Sequence, residues 1–245
     1  MKILVVGSGG TVGRALVPLL HEHDVVRFQG DIRDAEFVSA DAVFLLWPFF
    51  TPDGADAVID ALATRTGHVV YLSSESATPA SVWGEIEARI RATRLEWTFL
   101  RPTGFAKNTL IWADQIRSGV VRWPFGQAAR SLIDERDLAA VAARALTERH
   151  AGATHVITGP EAVRQAEQVR LIGEAIGMPV RWEEQPRDAA RDALVPVFGD
   201  ATDAALDTWE RFIAQPETVT DTVLTVTGRP AGSFRAWARD NADAF

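Results

Sequence analysis

The stretch Ile3-Leu4-Val5-Val6-Gly7-Ser8-Gly9-Gly10-Thr11-Val12-Gly13 decides how this chain reads. Four consecutive apolar residues predict a buried strand. The glycines after them predict a tight turn, and Arg14 to His21 continues as an amphipathic helix. This order suits a dinucleotide's pyrophosphate, because glycines let the backbone approach closely and the free N–H groups of a helix start face phosphate charge. Glycine turns can also be purely structural. The flanking strand and helix favour a nucleotide binder, or descent from one.

Outward from that stretch, strand-like and helix-like segments alternate, as in a parallel sheet covered on both faces. Strands are predicted at 2–6, 25–29, 42–46, 68–72, 97–100 and 154–158, and helices at 12–21, 55–65, 82–93 and 135–147. After Gly159-Pro160 the pattern turns mostly helical, at 161–176, 188–194, 201–214 and 233–244. The expected fold is therefore α/β, a Rossmann-like doubly wound parallel sheet with a small, mostly helical C-terminal substrate-capping region. Residues 1–158 are expected to form the dinucleotide-binding core and 159–245 the cap, intertwined with it.

Composition narrows the class. With 47% hydrophobic residues among 245, the chain can bury a large core. No apolar run approaches the roughly 18 residues of a membrane helix. Met1-Lys2 leads directly into the first strand, so no signal peptide is expected and the cytoplasm is the expected location. The absence of cysteine excludes disulfides and thiolate nucleophiles. A formal charge of −8 argues against nucleic acid as a partner, because phosphate neutralisation needs a basic face. The five histidines show no metal-ligand spacing, and no metal is expected.

The chain resembles the NmrA-like family of atypical short-chain dehydrogenases/reductases, which includes NAD(P)H:quinone reductases and nucleotide-sensing regulators. The matching stretches are Val5 to Gly13, Gly30-Asp31-Ile32-Arg33-Asp34, Asp41 to Leu46, Val70-Tyr71-Leu72-Ser73-Ser74, Trp97 to Pro102 with Phe105 and Asn108, Ile133 to Ala139, Thr158 to Glu161 and Ser233 to Phe245. The resemblance implies that Gly7, Gly10, Thr11, Val12 and Gly13 line the pyrophosphate of NADH or NADPH. It implies that Asp31 and Ile32 meet the adenine, and that Leu46, Trp47 and Pro48 pass beside the adenosine and ribose. Ser73 and Ser74 would end the next strand, where ligands sit at the carboxyl edge of such sheets. The segment Arg101 to Phe105, with Pro102 and Phe105 as contacts, would wrap the nicotinamide. Asp31 has an equal alternative, capping the next turn.

Two departures from the family bear on activity. The family interposes a loop, a helix and another strand before its Gly-Asp motif, whereas here the second strand runs straight into Gln29-Gly30-Asp31. That removes the segment that normally holds a 2′-phosphate, leaving only Arg27 and Arg33 nearby. Asp31, 18 residues past Gly13, stands near the spacing of an acid that takes a ribose 2′-OH. The shortened region tilts the expectation towards NADH or weak binding. Short-chain reductases also use a Tyr four residues before a Lys for proton transfer. The one tyrosine here, Tyr71, falls inside a predicted strand, and Trp83 stands near where some relatives place a Lys. The standard carbonyl relay is thus unsupported, while hydride transfer to a quinone needs less acid–base help.

Remaining acid–base candidates are Ser74, Glu85 and Lys107, with Asp114 as a further one. Glu85 and Glu87 also suit a helix start, where acids favour the dipole. Lys107 equally suits a solvated loop. Eight tryptophans, with Trp47, Phe49 and Phe50 after the third strand and Trp112, Trp123 and Phe125 in the capping segment, point to a flat apolar pocket for a quinone-like or polycyclic aromatic substrate. The leading reading is an NAD(P)H-dependent oxidoreductase of quinones or flat conjugated molecules. Two others stand beside it: a nucleotide-sensing pseudoenzyme, and a non-redox cyclase, isomerase or lyase on a degenerate scaffold.

Overall fold

The computed structural model describes residues 1–245, the side chain of Val197 excepted. In chain order its elements are β1 (Lys2–Val6), α1 (Thr11–Leu19), β2 (Asp24–Phe28), β3 (Ala42–Leu46), α2 (Ala55–Ala63), β4 (His68–Leu72), α3 (Val82–Arg91), β5 (Glu96–Pro102), α4 (Ala113–Arg117), β6 (Val120–Trp123), β7 (Ala129–Arg130), α5 (Glu135–Glu148), β8 (Ala153–Ile157), β9 (Val163–Arg164), α6 (Gln165–Ala175), β10 (Arg181–Glu184), α7 (Arg187–Phe198), α8 (Thr202–Ala214), α9 (Thr222–Thr227) and α10 (Phe234–Asp240). These fall into two units that interleave along the chain. The first comprises 1–103, 135–157 and 221–230, and the second 104–134, 158–220 and 231–245.

The first unit is a six-stranded sheet in the order β2-β1-β3-β4-β5-β8, every pair parallel. Its central strands are apolar without alternation because both faces are covered. On one face Leu4, Val43, Leu45, Val69, Tyr71 and Phe99 pack against Val58, Ile59 and Leu62 of α2 and Ile86 and Ile90 of α3. Helices α1 and α5 pack on each other, and α5 also lies against β3, β4 and β5. This is the expected doubly wound arrangement: β1, β3 and β4 have the bounds read from sequence, β2 and β8 start one residue earlier, and β5 is longer by one residue at its start and two at its end.

Between β2 and β3 there is no α-helix. A 3₁₀ turn, Ile32–Asp34, and an irregular run to residue 41 make the connection, and β2 is the edge of the sheet. Among the described residues, no helix is long and apolar enough to cross a membrane.

The second unit is less purely helical than its composition suggests. Parallel β6 and β10 pair from Val120↔Arg181 to Trp123↔Glu184, and β7 pairs antiparallel with β9. Because Val163 and Arg164 are taken up in that ladder, the helix expected from 161 begins at Gln165. The expected final helix is α10 followed by a separate 3₁₀ turn, Ala242–Ala244, and it buries Phe234, Trp237 and Ala238 as its spacing predicts. The core of this unit is built round Trp112, Trp123, Val169, Ile172, Leu206 and Trp237.

Candidate functional site

In the first unit, the glycine turn after β1 leads into α1 as expected. Gly7 has φ +82°, a left-handed conformation that favours glycine, and its carbonyl accepts from the Gly10 N–H at 2.9 Å. A Cβ on Gly13 would lie 2.2 Å from the Gly7 oxygen, so this residue must be glycine for the helix to start against the turn. Gly10 is the N-cap of α1, with no side-chain cap and no acid in the first turn. The first-turn N–H donors therefore meet no competing carboxylate from their own helix, which leaves them suited to an anion. Thr11 is half-buried and Val12 buried at this start.

Beside the turn is a cleft of about 280 Å³ lined by Val6, Gly7, Gly9, Gly10, Phe28, Gln29, Gly30, Ile32, Leu46 and Pro48. Ile32 and Leu46 face it as apolar walls. Trp47 is buried instead, its indole N–H donating to the Thr51 carbonyl at 2.8 Å, so it pins the loop after β3. Phe49 stacks under the Arg33 guanidinium at 4.0 Å, and Phe50 is exposed.

Asp31 caps the 3₁₀ turn, accepting from the Arg33 N–H at 2.9 Å, and forms an ion pair with Arg33 Nη2 at 2.6 Å. The hydrogen bonds from Arg33 hold its carboxyl at about 2, below the usual range. The capping alternative read from sequence is therefore realised. Arg33 engages this carboxylate through its N–H, Nε and Nη2.

At the carboxyl edge of β4 the two serines differ. Ser73 is buried and donates to Glu87 Oε1 at 2.6 Å, whereas Ser74 is half-buried and accepts from the Ser76 N–H at 3.1 Å. Glu87 is fully buried and also receives Arg101 Nε at 2.8 Å and Nη2 at 2.6 Å, with Arg91 at 3.3 Å. Burial pushes its carboxyl up, but the hydrogen bonds from Arg101 and Ser73 and the charges of Arg101 and Arg91 outweigh burial and leave it lowered. The sequence placed Glu87 only as a helix-start acid. Its partner, Arg101, stands 14 residues on, across a helix and a strand, and no local pattern marks the pair. Glu85, on the same helix, is half-buried and faces Arg89 at 3.8 Å.

Tyr71 is core, as expected: it is fully buried, its hydroxyl has no hydrogen-bond partner, and burial raises its pKa. It offers no accessible proton. Pro102 ends β5, buried, with its carbonyl accepting from Glu75 N–H at 3.0 Å.

The second unit holds a cavity of about 510 Å³. Its walls are Ile111, Trp112, Trp123, Leu132, Phe198 and Trp209, with Asn108, Gln165, Gln168 and Arg130 as polar members. The rings form a chain: Trp112 meets Trp123 edge-on at 5.9 Å, Trp123 meets Trp209 at 5.7 Å and Trp209 meets Phe198 at 6.0 Å. Trp112 and Trp123 were read from sequence as pocket aromatics; Trp209 and Phe198, far along the chain, were not. Phe125 is buried at φ +61°, in a turn braced from both sides. Glu184 accepts its N–H, and Gln165 donates to its carbonyl at 3.0 Å.

Phe105 is half-buried, bridging Ile133 in a parallel β-bridge. Lys107 is half-buried in the 3₁₀ segment Ala106–Trp112, whose Asn108 and Thr109 line the cavity. Asp114 is exposed and pairs with Arg117 at 2.6 Å.

Comparison with known proteins adds the following. No family model matches the chain. It is 35% identical over 278 aligned positions to a (4-alkanoyl-5-oxo-2,5-dihydrofuran-3-yl)methyl phosphate reductase of Streptomyces griseus, with 99% of each chain covered. It is 32% identical, again over 99% of each, to an NAD(P)H azoreductase of Xenophilus azovorans. The first alignment is longer than the 245 residues here, so that relative carries segments this chain lacks. Among solved structures, a triphenylmethane reductase of Citrobacter sp. complexed with NADP(H) superposes with a TM-score of 0.78 at 15% identity, covering 99% of this chain and 100% of the other. An NADPH-dependent quinone oxidoreductase of Escherichia coli complexed with NADPH gives 0.79 at 16%, covering 97% and 99%.

Proposed function

The chain belongs to the NmrA-like family of atypical short-chain dehydrogenases/reductases, NAD(P)H-dependent oxidoreductases, and we propose that its acceptor is a quinone or another flat conjugated molecule. The observation that carries the substrate reading is the cavity walled by Trp112, Trp123, Trp209 and Phe198, because a run of aromatic rings with few polar groups among them suits a planar apolar body. The uncapped, acid-free start of α1 and the Gly13–Gly7 approach fit a pyrophosphate. Once bound, the nicotinamide supplies hydride, and the chain's own residues supply binding, orientation and exclusion of water.

Tyr71 has no part in proton transfer, and the proposed chemistry does not require it: a reduced quinone oxygen is basic enough to take its proton from water. Among Ser74, Glu85 and Lys107, we favour Lys107 for electrostatic help to the developing anion, since its own 3₁₀ segment lines the cavity. Ser73 and Glu87 we assign to holding the carboxyl ends of β4 and β5 in place. The reductase names of both relatives support turnover over nucleotide sensing or non-redox chemistry.

The test is to mix purified protein with NADH or NADPH and a neutral quinone, or an azo dye, and follow nucleotide oxidation. Steady acceptor-dependent oxidation is expected with at least one nucleotide. Tight nucleotide binding without oxidation by any acceptor would turn the reading to sensing, and no binding of either nucleotide would turn it to non-redox chemistry.

A further inference from the structure

The 510 Å³ cavity contains one cationic side chain, and how it is held points to a narrower acceptor class. Arg130, on the two-residue strand β7, has a side chain only 17% exposed. Its Nε and Nη2 reach Glu217 at 3.2 and 3.4 Å, and its guanidinium carbon lies 5.3 Å from the Phe212 ring. Glu217 is itself anchored: it accepts from the Ser131 N–H at 2.8 Å, and its own N–H donates to the Ala129 carbonyl at 3.0 Å. The carboxylate thus clamps one edge of the guanidinium from behind. Among the described residues, Nη1 donates to no protein acceptor.

A planar cation with five N–H donors is being used at two of its nitrogens, through long bonds, in a cavity otherwise lined by aromatic, aliphatic and amide side chains. The side chain is mostly withdrawn from solvent and its remaining N–H donors meet no protein acceptor, so a ligand that supplies an anionic oxygen there gains more than it would at a fully solvated arginine. Two of the lining amides are held by the backbone. Gln165 spends its N–H donors on Pro124 and Phe125 carbonyls, and Gln168 donates to Val163.

We propose that the free edge of Arg130 selects acceptors carrying an anionic substituent, a sulfonate, carboxylate or phosphate, on a conjugated body that lies among Trp123, Trp209 and Phe198. This inference rests on the reading of the cavity as the acceptor site. Arg130 is then a specificity-determining residue, and Glu217 positions it without touching substrate.

The experiment is direct binding, measured by calorimetry on the full chain without nucleotide. The probes are naphthalene-2-sulfonate and its neutral isostere, methyl 2-naphthyl sulfone. Wild type is expected to bind the sulfonate at least about tenfold more tightly, with the preference shrinking as salt rises. In the double variant Arg130→Gln/Glu217→Gln, which removes the ion pair without leaving a lone buried charge, the ratio should fall to within about twofold. The single variant Glu217→Gln keeps the cation and removes its competitor, so it should tighten sulfonate binding; it decides the matter if the double variant does not fold. Equal affinities in wild type, binding of neither probe, or a preference unchanged in the double variant would overturn the inference. Oxidation of NADH or NADPH by a neutral quinone is measured alongside. If turnover holds and the anion preference does not, only this inference falls; if the preference holds without turnover, the reductase reading falls and the anion site stands.

Discussion

Gly13 and Tyr71 show how much a single position can settle. A Cβ at 13 would sit 2.2 Å from the Gly7 carbonyl oxygen, a backbone atom that cannot give way without moving the turn. Gly13→Ala is therefore expected to weaken nucleotide binding by at least about tenfold, 1.4 kcal/mol, with the rest of the fold retained; calorimetric titration with NADH and NADPH reads this. The place of Gly13 at the turn was legible because strand, turn and helix are contiguous in sequence. Tyr71 is the opposite kind of residue, conspicuous as the chain's one tyrosine yet buried with an unpartnered hydroxyl. Tyr71→Phe should leave kcat and KM unchanged and melt no lower than wild type. Removing a buried unsatisfied hydroxyl is worth about 1 kcal/mol in its favour. A large fall in kcat would instead return Tyr71 to the chemistry.

At the scale of elements, the carboxyl ends of β4 and β5 and the helix α3 are tied by one buried anion. Glu87 takes Ser73 from the end of β4 and Arg101 from the end of β5, and sits in the middle of α3. Glu87→Gln leaves Arg101 partly buried beside a neutral amide, and should cost roughly 3 kcal/mol. In a chain of this size that is a fall of about 6–12 °C in melting temperature, measurable by calorimetry. The shortened β2–β3 connection is an element-level fact that sequence did reveal, since Gln29-Gly30-Asp31 follows the strand with no room for another helix. The strands β6 and β10 were not legible. Each is four residues long, and each is a strand only because the other lies beside it.

For the molecule as a whole, acid sensitivity follows from histidines at the amino-terminal ends and edge of the main sheet. His68, fully buried on β4, hydrogen-bonds through Nε2 to the Thr98 hydroxyl oxygen at 3.2 Å, that hydroxyl itself donating to the His150 carbonyl, and His155 on β8 faces His150 at 3.1 Å. Burial lowers both pKa values, with the His150 charge adding to the effect at His155. A histidine whose folded pKa is depressed binds fewer protons folded than unfolded, so stability is lost as pH falls below about 6.5, the unfolded value. Glu87, lowered from 4.5, adds a further loss below about pH 4.5. Melting temperature should therefore drop between pH 7 and 5, and His155→Gln should flatten that drop. Sequence by itself determined the sheet, its glycine turn and its family, because those features lie in contiguous segments whose periodicity and spacing carry their own physical meaning. It also foretold an aromatic pocket. Tertiary structure alone decided that Arg33 takes the Asp31 carboxylate, that Arg101 and Ser73 bury Glu87, and that Trp209, Phe198 and Arg130 complete the cavity. Ion pairs and cavity walls are set by which side chains packing brings together, and 86 residues separate Ser131 from the Glu217 carboxylate that also clamps Arg130.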